Sequence, residues 1–414
     1  MKKRILTVCV SLLLICAMAG NLAGCTQVHA EDLMEGVEPR EVEGTMVPST
    51  FTESQMALAW KLFREVYDEE PNGNVLISPL SIQLALAMTA NGASGQTRKE
   101  MEALLGGGKS MEELNEYLYS YVKRLSSEEA CKLAIANSIW FRDDFQADRE
   151  FLQTNADYYG SQIYKAKFDK RTLKDINRWV DIHTDGMIEE ILQEIDPATV
   201  MYLINALAFD AEWKDIYTSD AIHDGSFTSI SGEVQTVEMM GALENGYIVT
   251  ENARGFVKDY QSGRYSFVAL LPNEGVSLDA YIADLDATEL KSALVDANGK
   301  SAFVYLPKFS YEYEIDLNDC LQELGMTTAF GGFADFSGMA EPSKELHIGN
   351  VTHKTYISVD ERGTRAGAVT VVAMNNGCGM EPVETLYLDR PFLYMIIDHA
   401  TYLPIFIGTL TDAS

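Results

Sequence analysis

One large α+β domain, with antiparallel or mixed sheets rather than alternating β-α-β units, is the fold class that the 414-residue sequence predicts. Three observations carry it. Helical patterning gathers in the earlier part of the chain and strand patterning in the later part. No Pro/Gly/Ser-rich linker and no internal repeat interrupts residues 49–414, so a length that could hold two or three domains is read as one. Apolar residues make up 47% and charged residues 23%, the balance of a globular chain able to bury a large core.

At the start of the chain, Lys2, Lys3 and Arg4 precede an apolar stretch over residues 5–20 that is too short for a spanning helix. Small residues follow, and residues 1–24 are expected to be a signal peptide. Leu22-Ala23-Gly24-Cys25 resembles the bacterial lipobox, whose cysteine takes a diacylglycerol and becomes the first residue after cleavage. Cys25 is the expected lipidation site, and the outside of the cell membrane the expected location. Cleavage removes three cations and makes the net charge more negative than −30. Anionic lipid then offers the body no electrostatic hold, and acyl chains must supply it at about 0.8 kcal/mol per buried CH2. Residues 25–48 are polar, acidic and without apolar periodicity, which predicts a flexible tether.

In the body, Thr52 and Gln55 have capping-box spacing ahead of Ala59, Leu62, Phe63 and Val66, an amphipathic helix that Pro71-Asn72-Gly73 ends. A short strand over residues 75–77 leads to Ser78 as helix cap and Pro79 as first helical residue, with Gly92 as the stop. Gly106-Gly107-Gly108 closes another helix. Strand patterns cover residues 131–142, 202–213, 265–271, 302–306, 350–359, 386–397 and 405–410.

Charge and motif content exclude several function classes. With 62 acidic against 32 basic residues, nucleic acid is not a partner. The six histidines are scattered singly, and no C-x-x-C or H-E-x-x-H occurs, so no metal is expected. No G-x-S-x-G, P-loop or G-x-G-x-x-G appears; no cofactor and no enzymatic activity are expected. Once Cys9, Cys16 and Cys25 are assigned to the signal and anchor, Cys131, Cys320 and Cys378 remain, an odd number with no disulfide framework.

Five blocks of sequence resemble the serpin family in order and spacing. They are NVLISPLSIQLALAMTAN at 74–91, LINALAFDAEW at 203–213, LPKFSYEYEIDLNDCLQELGM at 306–326, HKTYISVDERGTRAGA at 353–368 and RPFLYMIIDHATYLPIFIGTL at 390–410. The resemblance implies a single domain of three β-sheets and eight or nine helices, with an exposed reactive-centre loop that baits a serine protease. It implies a shutter at Ser78, Ser81, Asn205 and His353, where hydrogen bonds can be re-paired when strands part. Trp213 corresponds to the breach tryptophan under the entry point of the loop. The hinge is Glu361, Gly363, Thr364, Ala366, Gly367 and Ala368.

The loop itself decides between an inhibitor and a non-inhibitory serpin that acts as a binding or chaperone module. If the chain inserts as a strand from Thr364, alternation puts Thr364, Ala366, Ala368, Thr370, Val372 and Met374 on one face. Arg365 falls on the other face, so the buried side takes in no ion, which would cost several kcal/mol. Small Ala366, Gly367 and Ala368 lead, and no proline intervenes before Pro382. Arg365 departs from the acidic residue that many serpins carry. The inhibitory reading is favoured, with a monomer expected to form a covalent complex with its protease. Counting forward from Glu361 puts the bait bond at Gly377-Cys378; counting back from Pro391 puts it at Met380-Glu381, with Met374 a further alternative. No Lys or Arg lies between Arg365 and Arg390, so elastase-like or subtilisin-like proteases are the expected targets rather than trypsin-like ones.

Overall fold

In the computed structural model, residues 28–125, 131–297, 299–341, 346–364 and 384–414 are described. Helix α1 (Ser49–Glu69) opens three residues before Thr52, and its cap position, Pro48, makes no side-chain cap bond. The expected capping box does not form. Thr52 Oγ1 donates to the Ser49 carbonyl at 2.8 Å, and Gln55 is buried, donating to the Leu105 carbonyl at 3.1 Å. The glutamine therefore ties α1 to its neighbour instead of to its own first turn.

Helix α2 (Pro79–Ala90) is buried at every position, as a helix apolar all round must be. Ser78 Oγ caps it by accepting from the Ser81 N–H at 3.3 Å. Gly92 lies just past its end because a side chain there would meet Met339, with a Cβ only 2.4 Å from that residue's Cβ. Helices α3 (Gly95–Gly106), α4 (Met111–Leu125), α5 (Arg149–Tyr159), α6 (Lys170–His183), α7 (Leu278–Asp284), α8 (Ala287–Asp296) and α9 (Asn318–Glu323) complete the set among the described residues.

We label the seven strands of the largest sheet β1 (Glu31–Asp32), β2 (Cys131–Arg142), β3 (Gln162–Ala166), β4 (Met201–Glu212), β5 (Phe309–Asp316), β6 (Asn350–Val359) and β7 (Gly363–Thr364). Their order is β1-β3-β2-β4-β7-β6-β5. A six-stranded sheet combines residues 76–77, 404–410, 392–398, 265–272, 253–259 and 247–249, and a four-stranded sheet combines 384–387, 302–307, 234–244 and 222–228. The expected single run over residues 386–397 is two strands in two different sheets. Asp389, Arg390 and Pro391 turn the chain between them, and Pro391 cannot supply a ladder N–H.

Strand β4 is covered on both faces, which is why its sequence is nearly continuously apolar. Tyr202, Ile204 and Ala206 pack with Ile176, Trp179 and Val180 of α6. Leu203, Leu207 and Phe209 face the main core on the other side, with α2.

The segment expected to be a free tether is docked from residue 28 onward. Strand β1 pairs antiparallel with β3, Glu31 opposite Lys165 and Asp32 opposite Tyr164. Leu33, Met34, Val37 and Val47 pack on the main core. Arg40 donates from its backbone and its Nε to the two carboxylate oxygens of Asp157, each at 2.7 Å, and the Thr45 N–H donates to Ser120 Oγ at 2.8 Å. Four isolated apolar residues among acidic ones carry no period, yet they suffice because β3 offers an open sheet edge to cover.

Candidate functional site: a sheet open at one end

Strands β4 and β6 run parallel and pair directly from Tyr202 to Leu207 and from Asn350 to Thr355. The ladder stops there. Above it β7 stands between them, Thr364 opposite Ala211 of β4 and Val359 of β6, and Gly363 opposite Glu212. The large sheet is thus zipped at one end and parted at the other.

At the zipped end the four expected shutter residues come together with no exposed surface. Asn205 and His353 are opposite partners in the parallel ladder. The Ser78 N–H donates to His353 Nε2 at 3.0 Å, which assigns the ring proton to Nδ1, hydrogen-bonded to Asn205 Oδ1. Asn205 Nδ2 donates in turn to the Ser81 carbonyl at 2.8 Å and lies 2.5 Å from Ser81 Oγ and Asn137 Oδ1. Burial lowers the His353 pKa from 6.5 to about 3, so the imidazole is neutral at physiological pH.

At the parted end the backbone of the expected hinge is held by aromatic residues. Trp213 donates from Nε1 to the Asp360 carbonyl at 2.9 Å and from its backbone to the Arg362 carbonyl at 2.7 Å. The Tyr217 N–H donates to the Glu361 carbonyl at 2.9 Å. Trp213 stacks on Tyr260 with ring centroids 4.5 Å apart, and the Tyr260 hydroxyl lies 2.6 Å from the hydroxyl of Thr364, itself buried. Lys308 Nζ sits 2.8 Å from the Glu361 carboxylate and, by that hydrogen bond and charge, holds it below the usual carboxylate range. At Gly363 a Cβ would come within 2.0 Å of the Ala211 carbonyl oxygen, so only glycine lets the chain enter between the strands here.

Several of these residues escaped the sequence reading. Lys308 lies inside the LPKF block but gives no sign of its role there, because its partner Glu361 is 53 residues away. Asn137 is half-buried between buried Ala136 and Ser138 in the middle of a strand, where an amide asks for a partner; that is the one signal that could have found it. Tyr260 and the buried pair Lys258–Glu244, at 2.6 Å beneath Trp213 and Tyr217, give no sequence signal. Cys25, the expected hinge residues Ala366, Gly367 and Ala368, and the expected bait-bond residues Met374, Gly377, Cys378, Met380 and Glu381 lie outside the described residues.

The family model for "Serpin (serine protease inhibitor)" matches residues 53–413. The chain is a serpin. The leukocyte elastase inhibitor of Sus scrofa is 31% identical over 379 residues, covering 86% of this chain and 97% of the relative. A serine protease inhibitor of Cyanea capillata is 29% identical over 372 residues, covering 87% and 97%. Among solved structures, the thermophilic serpin tengpin in its native state superposes with a TM-score of 0.89 at 47% identity, covering 93% of this chain and 100% of that one. Its latent form gives 0.79 at 45% identity, covering 90% and 100%. This serpin is thus nearer the native form, and it belongs to a family of protease inhibitors, not enzymes.

Proposed function

We propose that this serpin inhibits a serine protease by covalent trapping, and that a lipid on Cys25 holds it outside the cell membrane. The observation that best supports trapping is the placement of β7 between β4 and β6, at the head of a ladder that stops at Leu207 and Thr355. A strand has started there and has room to continue.

In the proposed reaction the protease serine attacks the carbonyl of the bait bond. The amide breaks, the C-terminal fragment leaves as an amine with the proton, and an ester joins protease and inhibitor. The freed chain then extends β7. Continuing its register puts Arg365 opposite Asp210, on the outward face, and Thr370 between Asn205 and His353. The Thr370 hydroxyl would meet the groups that now bond each other across the closed ladder. About ten inserted residues, at roughly 0.5–1.5 kcal/mol net per backbone hydrogen bond plus apolar burial, give on the order of 10 kcal/mol. That is enough to distort a catalytic triad, which tolerates little misplacement.

Val372, Ala373, Met374, Cys378 and Met380 favour elastase-like or subtilisin-like targets, and the leukocyte elastase inhibitor among the relatives agrees with the first. The test is incubation with a panel of such proteases. An SDS-resistant complex is expected, and sequencing the released fragment identifies the bond among Gly377-Cys378, Met380-Glu381 and the bond after Met374. Turnover of the loop with no stable complex would leave a substrate or a binding module.

A further inference from the structure

A chain with 62 acidic residues carries five cations and one carboxylate between Lys165 and Lys174. Lys167, Lys170, Arg171 and Lys174 are exposed, and among the described residues none of the four is in an ion pair. Four of the nearby carboxylates are committed elsewhere. Asp169 accepts from the backbone N–H groups of Arg171 and Thr172 at the start of α6. Glu31 pairs with Lys165 at 3.2 Å, Asp144 is held by Arg142 at 2.7 Å, and Asp175 is buried beside His29.

The position of this patch is set by strand register. Lys165 lies opposite Phe141, which lies opposite Met201, so the patch is level with the first residue of β4. Thr364 is opposite Ala211. Ten residues of strand separate the two levels, about 33 Å. The patch is at the pole of the large sheet farthest from the hinge. The chain also enters there: β1 is antiparallel to β3, so residues 28–30 lie beyond Glu31 on the Lys165 side, and Val28 and Ala30 pack against the cluster under α6. Cys25 is three residues from Val28, a reach of about 10 Å.

We infer that Lys167, Lys170, Arg171 and Lys174 form a docking surface for the anionic phospholipid around the anchor, which stands the serpin on this pole with the end of β7 at Thr364 turned away from the membrane. The inference rests on the reading of Cys25 as acylated. The expectation that a polyacidic body gains nothing from anionic lipid holds for the whole charge but not locally. Charges farther than about 8 Å from the surface are screened at physiological ionic strength, so the acidic remainder does not cancel the contact.

Intact mass of the exported, signal-processed protein reads acylation directly. The acylated protein is then bound to vesicles of phosphatidylcholine alone or mixed with phosphatidylglycerol, and lysine acetylation rates are compared. Lys167, Lys170 and Lys174 are expected to label several-fold more slowly on the mixed vesicles only, with high salt reversing the effect. Exposed Lys291 serves as the unchanged reference. Equal labelling on both vesicles overturns the inference. If the mass shows no acyl group, the anchor reading fails, and the patch is judged on the Cys25→Ser protein by sedimentation with the same vesicles at low salt. Replacing all four cations by alanine should then weaken binding by roughly fivefold per cation; equal sedimentation of the two proteins overturns the patch on its own.

Discussion

His353 holds the large sheet closed only as a neutral imidazole, since its Nε2 must accept from the Ser78 N–H. An unfolded histidine takes its proton near pH 6.5, whereas this one resists until about pH 3. Its contribution is therefore complete above about pH 6.5 and is lost as pH falls toward 3, at about 1.4 kcal/mol per pH unit. Denaturant midpoints measured between pH 7 and 5 should fall more steeply for the wild type than for His353→Gln; equal slopes would remove the residue from the switch. Thr364 poses a different requirement. It is buried against Tyr260 where β7 begins, so Thr364→Arg places an ion inside the sheet at a cost of several kcal/mol. The variant should be cleaved as a substrate with a sharply reduced yield of SDS-resistant complex, and a wild-type yield would show the register to be wrong. Ser78, Ser81, Asn205 and His353 could be named from the sequence because they lie in dense, distinctive blocks. Tyr260 and Lys308 could not, because their meaning exists only across strands brought together from far apart in the chain.

Elements were legible where a period repeats and illegible where a tertiary edge supplies the reason for order. Strands β2 and β6 have the bounds that alternation predicts, since one side of each must face a core. Thr52 and Gln55 misled because a cap and a buried amide use the same residue types. The N-terminal segment misled because docking against a sheet edge needs no amphipathic period. One of its ionic fastenings gives a test: Arg40→Ala leaves the Asp157 carboxylate, now held below the usual carboxylate range despite its burial, without its guanidinium. Hydrogen exchange at the Leu33 amide, which donates to the Ile163 carbonyl, should accelerate by an order of magnitude or more in this variant, while the amides of β4 stay protected. Unchanged protection at Leu33 would place the hold on the apolar contacts alone.

For the molecule as a whole, residues 368–374 combine high β-propensity with no charge and no proline, a strand in search of an edge. Cleavage between Met374 and Met380 should let this strand enter its own sheet and raise the thermal unfolding midpoint by tens of degrees. A cleaved form that melts no higher than the intact one would leave the binding-module reading. Mild heating of intact protein should instead drive it into neighbours and yield polymers. The barrier to either event is the direct ladder between β4 and β6, six residue pairs from Tyr202–Asn350 to Leu207–Thr355. Opening it forfeits one ladder, and an inserted strand forms two. Under the proposed trapping reaction such an exchange would run one way, so that every molecule would be consumed by its single use and would age even when idle. The six pairs would then be in effect a clock, and a cell relying on this protein would have to replace it at the rate the clock runs down, whether or not a protease ever arrived.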